Sequence, residues 1–209
     1  MIHRLLRFFV IPTVVAVWAL SAAPPAPAQT GAPDAPVTAL SAVLLEVMQN
    51  ADALGFAGRE ARLDPVLRDT FAFEDMARLV LGPVEFDALD PATRARYVDA
   101  FARMSVAIFA GRFDGYSGQQ FTDGGTQEIR PGQVLVTSIL SAPDRDSVNL
   151  DYLMRQVGGD WRVLDVFLDR RVSEVARQRA EFAAVFQRGG IEGLLTEIEA
   201  NITRQRTGG

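Results

Sequence analysis

The sequence predicts an α+β layer fold: a small antiparallel sheet of three to four strands, packed against a cluster of helices and enclosing an apolar pocket. Two observations carry this. Apolar residues recur at helical spacing from Leu40 to Ile108, at a spacing of two from Val134 to Phe167, and at helical spacing again from Val175 to Ile202. The segments of period two are joined by glycine turns rather than by helices, which makes their sheet an antiparallel meander. Helices before and after the meander then gather on one face of a curved sheet. The space between such layers is a usual place for an apolar ligand.

Residues 1–28 read as a signal peptide outside the fold. Arg4 and Arg7 supply a positive start, Leu5 to Leu20 an apolar run broken by Pro12, and Ala26-Pro27-Ala28 small residues for cleavage. The competing reading is a membrane anchor, but the run is short of the ~20 apolar residues that span a bilayer. Residues 29–36 form a Pro/Ala/Gly-rich tether, 37–203 a single domain, and 204–209 a tail expected to fray.

Pro36 suits a first helical turn, and Leu40, Leu44, Val47, Met48, Ala51 and Leu54 make an apolar stripe that ends at Gly55. Asp64-Pro65 reads as the cap and first residue of a short helix with Val66, Leu67 and Phe71 inward. Phe73–Leu81 is a further helix, stopped by Gly82-Pro83. Asp90-Pro91 opens the longest helix, to about Phe113. Tyr97, Phe101, Met104 and Ile108 form one stripe on it, and Val98, Ser105, Phe109 and Phe113 a weaker second. A helix apolar on two sides is central or borders a cavity. Glycines 111, 115 and 118 at its end, and Gly189-Gly190 further on, are candidate bending points for the mouth of a pocket.

Gln119–Ile129 reads as an edge strand, Val134–Leu140 as a nearly continuous apolar strand and Val148–Met154 as an alternating one. Gly158-Gly159-Asp160 turns into a fourth strand, in which Trp161, Val163, Asp165 and Phe167 share one face and Arg162, Leu164, Val166 and Leu168 the other. The next helix places Val172, Val175, Ala176, Phe182, Ala183 and Phe186 on one stripe, with Arg179 in its middle. A guanidinium on a core face needs a carboxylate, and Asp165 is the nearest by pattern, so the two are expected to form a buried ion pair. Gly189-Gly190 turns into a last helix buried through Leu194, Leu195, Ile198 and Ile202.

Absences narrow the chemistry. The chain has no cysteine and no lysine, and its one histidine, His3, falls in the leader. Disulfides, thiolates, Ser-His-Asp triads, nitrogen or sulfur zinc sites and the P-loop lysine are thereby excluded from the domain. A formal charge of −5, more negative once Arg4 and Arg7 are removed, argues against nucleic acid and against adhesion to anionic lipid surfaces. No cofactor or metal is expected. The pocket is assigned to Phe101, Met104, Ile108, Phe113, Tyr116, Leu150, Tyr152, Phe167, Val175 and Phe182. Three functions remain open: a carrier of an apolar ligand, a small enzyme using a carboxylate such as Asp165 or Asp114 with Tyr116, and an interaction module without ligand.

Particular segments narrow these further. FAFEDMARLVLG (71–82), RFDGYSGQQF (112–121), and WRVLDVFLD (161–169) followed by VSEVARQRAEFAAVFQRGGIEGLL (172–195) resemble the MlaC family, also known as toluene-tolerance proteins. The resemblance runs from about Val37 to Ile202 and looks closest to the hopanoid-biosynthesis-associated, HpnM-like branch. Where family members often carry a tryptophan after the LG pair, this chain has Phe86, and the lysines usual near the C-terminus are missing. The resemblance implies a non-catalytic periplasmic lipid carrier. It would move a phospholipid or hopanoid between an inner-membrane ABC transporter complex and an outer-membrane lipoprotein complex, without stable membrane insertion once the signal is removed.

Overall fold

The computed structural model describes residues 31–208, so the signal-peptide reading of residues 1–28 and the first part of the tether lie outside the described residues. Helix α1 (Ala35–Gln49) begins with Pro36 in its first turn, inside the stretch read as tether. Asn50 separates it from α2 (Ala51–Thr70), which bends at Gly55. Pro65 does not open a new helix: it lies within α2, and Asp64 pairs with Arg68 one turn on. Unbroken helix through Pro65 keeps Leu63 and Leu67, both fully buried, one above the other on the core side. Then follow α3 (Phe73–Leu81), α4 (Pro83–Asp87) and α5 (Pro91–Arg112). Asp90 caps α5 as expected, accepting from the amides of Ala92 at 3.0 Å and Thr93 at 3.1 Å.

The sheet has five antiparallel strands in sequence order: β1 (Gln120–Arg130), β2 (Gln133–Ala142), β3 (Arg145–Val157), β4 (Asp160–Leu168) and β5 (Val172–Ser173). The α+β class holds, with one strand more than expected; β5, at two residues, is too short to show a period. Gly158 (φ 62°) and Gly159 (φ 100°) join Val157 to its partner Asp160 in a tight turn whose left-handed backbone glycine adopts freely.

Strand β4 holds the main surprise. Leu153 pairs with Asp165 and Met154 with Val163, so Leu164 is an extra residue, a β-bulge. One inserted residue reverses which side chains face the helices beyond it. Val163 accordingly sits beside Met154 on the helix side, but Val166 and Leu168, not Phe167, continue that face beside Tyr152 and Leu150. The Val163 carbonyl accepts the Ala72 amide at 2.9 Å, tying the α2–α3 junction to the sheet.

Helix α6 (Glu174–Gly208) closes the chain. The expected turn at Gly189-Gly190 is a kink within it, with Gly190 at φ 59°, ψ −158°. The tail expected to fray instead stays helical to Gly208, and Arg206 reaches Glu60 of α2 at 3.1 Å. Exposed ion pairs contribute less than about 1 kcal/mol. Arg206→Ala should therefore barely move the melting temperature while speeding amide exchange in the last turn. Helix α5 lies centrally, touching α2, α3 and α6, and Tyr97, Phe101 and Met104 at its heart are almost wholly buried.

Candidate functional site

Between the C-terminal half of α5, the start of α6 and the helix side of β3 and β4 lies an apolar cavity of about 180 Å³. An aromatic chain forms much of its wall. Phe71 lies edge-on to Phe109, centroids 5.7 Å apart, and Phe109 stacks on Phe113 at 5.8 Å. Met76, Ile108, Leu150, Tyr152, Val166 and Leu168 complete the apolar lining, and Ser105, Arg112, Glu174 and Gln178 supply its polar groups.

Of the residues assigned from sequence, Ile108, Phe113, Leu150 and Tyr152 meet in this wall. Phe101 and Met104 lie deeper on α5, in the solid core. Phe167 pairs with Asp151 on the opposite face of the sheet, a consequence of the bulge. Tyr116 is 47 % exposed, beyond the end of α5. Val175 is buried beside the cavity without lining it, and Phe182 lines a separate groove with Val80, Leu81, Arg179 and Phe186. The second stripe of α5 gave the better signal: Ser105, Phe109 and Phe113, three of its four members, face the cavity. Phe71, Met76, Val166, Leu168 and the polar rim of Arg112, Glu174 and Gln178 were not singled out for the site by sequence.

The Asp165–Arg179 ion pair does not form. Asp165 is turned to the start of α6, where its Oδ1 accepts the amides of Val166 (2.8 Å) and Val175 (3.1 Å) and its Oδ2 the hydroxyl of Ser173 (2.6 Å). Ser173 Oγ in turn accepts the Ala176 amide at 2.9 Å, so the two residues cap α6 together. Burial raises the Asp165 carboxyl above the usual aspartate value, against hydrogen bonds from Ser173, Val175 and Val166 that lower it. Arg179 is exposed, its guanidinium against the Leu79 carbonyl at 3.4 Å. The buried stripe of α6 runs through Val175, Gln178 and Phe182, one position away from Arg179.

Glu174 and Gln178 stand one turn apart at the polar rim. Burial pushes the Glu174 carboxyl up, yet hydrogen bonding and charge from Arg177, with the charge of Arg112 at 3.9 Å, outweigh it and hold it below the usual carboxylate range. Gln178 Nε2 donates to Glu174 Oε1 at 3.0 Å. Tyr152, almost fully buried, makes no hydrogen bond through its hydroxyl among the described residues, and burial pushes its ionisation well above the usual phenol range. Among the described residues no cluster of His, Cys, Asp or Glu could hold a metal ion, and no helix is long and apolar enough to cross a membrane.

Comparison with known proteins bears on this architecture. The chain is similar to a phospholipid-binding protein from Ralstonia solanacearum, solved in complex with a phospholipid. The two share 17% identity and a TM-score of 0.73 over 84% of this chain and 99% of that one, a likeness of fold. No curated relative matches at the sequence level. The family model described as MlaC protein matches residues 38–200, from the second turn of α1 to the C-terminal part of α6, so every strand and every wall of the cavity lies within the match. The chain belongs to the MlaC family.

Proposed function

We propose that this protein is a non-catalytic periplasmic carrier that holds the apolar part of a lipid, the acyl chains of a phospholipid or the hydrocarbon of a hopanoid, in the cavity between α5, α6 and the sheet. One observation carries the reading: in a member of the MlaC family, the layers of the fold part around an apolar chamber walled by Phe71, Ile108, Phe109, Phe113, Leu150 and Leu168. The structural neighbour from Ralstonia solanacearum, solved with a phospholipid, supports a lipid as the occupant. The residues an enzyme reading would use are dispersed. Asp165 caps a helix, and Asp114 and Tyr116 are exposed beyond α5.

The size of the chamber adds a condition. A cavity near 150 Å³ takes one benzene, so 180 Å³ holds only a short length of acyl chain. Loading a whole lipid requires the walls to separate, and the bend at Gly190 lets the first half of α6 move relative to the second. Each CH₂ removed from water stabilises the complex by about 0.8 kcal/mol, but the bilayer offers nearly the same. Transfer is then close to balanced, and its direction is set by the partners, here an inner-membrane ABC transporter complex and an outer-membrane lipoprotein complex. Mass spectrometry of protein purified from its own periplasm without detergent should find co-purified phospholipid or hopanoid. A reproducibly lipid-free protein that also takes up none from vesicles overturns the reading.

A further inference from the structure

We propose that Arg112 is the headgroup site of the chamber: its guanidinium holds the phosphate of a lipid whose chain lies in the cavity, and so makes the carrier prefer phosphate-bearing amphiphiles to uncharged ones. The proposal rests on the carrier reading above and separates the two cargoes that reading leaves open, a phospholipid and an uncharged hopanoid. Among the described residues Arg112 is the one cation in the cavity lining, and its side chain is 50% exposed, so it borders both the apolar space and solvent. It makes no hydrogen bond among the described residues, and its one ion-pair partner there is Glu174, at 3.9 Å. Glu174 is satisfied without it. Arg177 donates to both oxygens of that carboxylate, from Nε to Oε2 at 3.1 Å and from Nη2 to Oε1, and Gln178 adds a bond to Oε1 at 3.0 Å. Glu181, the next acid along α6, is held by the same Arg177. The donors of the Arg112 guanidinium are thus left for a ligand.

Position decides what those donors can meet. A chamber of 180 Å³ admits only part of a chain, so the head of an amphiphile seated there stays at the rim, where Arg112 stands. A hydroxyl head offers the guanidinium one neutral acceptor. A phosphate offers charged oxygens in the forked geometry that a guanidinium matches, and such charge-assisted bonds are about twice as strong as neutral ones. The ester-linked chains of a phospholipid are compatible with this, because the contact is to the head and the cavity wall meets only hydrocarbon. Arg112 is also the last residue of α5, where a cation suits the helix dipole. That role asks only for positive charge at the end of the helix and gives no preference among ligands, so ligand selectivity separates the two.

The test uses the chain from Gln29 onward and displacement of bound N-phenyl-1-naphthylamine, an uncharged apolar fluorophore whose own binding does not depend on a cation. Three competitors share a dodecyl chain and are used below the concentrations at which they form micelles: dodecyl phosphate, dodecylphosphocholine and dodecanol. Both phosphates should displace the probe at about tenfold lower concentration than dodecanol, the effect of one hydrogen bond to a charged group. Arg112→Gln should bring the three within about threefold of one another by weakening the phosphates and leaving dodecanol unchanged. Arg112→Met takes its place should the glutamine variant fail to fold. Arg204→Gln, which removes an equal charge from the far end of α6, should leave the preference intact. Excess inorganic phosphate, set against sodium chloride of equal ionic strength, should also leave it intact, because the head is held there through its chain. If free phosphate abolishes the preference, the rim is a site for small anions and the headgroup assignment is overturned. Equal displacement by all three competitors in the unaltered protein overturns the proposal, as does a preference that survives loss of Arg112 or one that Arg204→Gln removes as well. If neither the probe nor any competitor binds, the carrier reading itself fails, and the headgroup site with it.

Discussion

Asp165→Ala should destabilise the protein by about 3 kcal/mol, the sum of a lost helix cap and a buried donor left unpaired. Three donors converge on this one carboxylate, two backbone amides and the Ser173 hydroxyl, and Ser173 itself holds the Ala176 amide. Truncation orphans the first turn of α6 beside the cavity, with Glu174 and Gln178 on it. Arg179→Met should change stability by no more than about 0.5 kcal/mol, as surface substitutions usually do, because Arg179 is exposed and only grazes the Leu79 carbonyl. Urea unfolding of both single variants and the double variant checks this. A coupling energy near zero is expected, and a large coupling would restore the ion pair that the structure replaces with a cap. Asp165→Asn adds a pH signature. The native carboxyl titrates above the usual aspartate value because it is buried, so the folded state keeps its proton to a higher pH than the unfolded chain does. The contribution of this site is fully present below the ordinary aspartate value and declines as pH rises through the raised one. Across that window the asparagine variant should gain on the unaltered protein, and a stability difference that is flat with pH contradicts the assignment.

Why the pair was legible in part and wrong in detail is a matter of single residues. Periodicity located β4 and α6 and marked Asp165 and Arg179 as charges on apolar faces. A pattern of strict alternation cannot reveal a bulge, because Leu164 is as apolar as its neighbours. The bulge is set by pairing with β3 and by the Val163 carbonyl's bond to Ala72, ninety residues earlier in sequence. That one insertion moves Phe167 off the cavity wall and brings Val166 and Leu168 onto it. On α6, beginning the helix at Val172 rather than after Ser173 counted a residue of β5 into the stripe, and the stripe then ran through Arg179 instead of Gln178. Glutamine on a buried face carries no hydrophobic signal, so pattern reading passes over Gln178 although it is buried at the rim. Caps fared better where they are local: Asp90 is read from sequence because its partners lie two and three residues on. The cap made by Asp165 spans ten residues and a strand, and only the fold brings it about.

The largest expected effect on binding comes from filling the cavity. Ser105 lines it from α5, and its hydroxyl is spent on the carbonyl one turn back. Ser105→Phe should project a ring of roughly benzene size into the 180 Å³ space, which a cavity of about 150 Å³ is known to accept. Two consequences should separate. Stability should hold or rise by about 0.5–2 kcal/mol, the usual gain from cavity filling, since no buried donor is orphaned and the aromatic wall of Phe71, Phe109 and Phe113 gains a neighbour. Affinity for long-chain amphiphiles should fall by about a hundredfold or more, since each CH₂ excluded from the cavity forfeits roughly 0.8 kcal/mol. Val84→Phe, at a position 78% exposed on α4, serves as the control and should alter neither quantity. The groove lined by Phe182 and Arg179 is the alternative seat for a chain, and Phe186→Trp there should leave binding intact. Lipid uptake from vesicles and thermal melts on the three variants decide between the two places. A more stable Ser105→Phe protein that no longer takes up lipid identifies the chamber between α5, α6 and the sheet as the binding site. Undiminished uptake by that variant removes the chamber from the function and leaves it a packing gap.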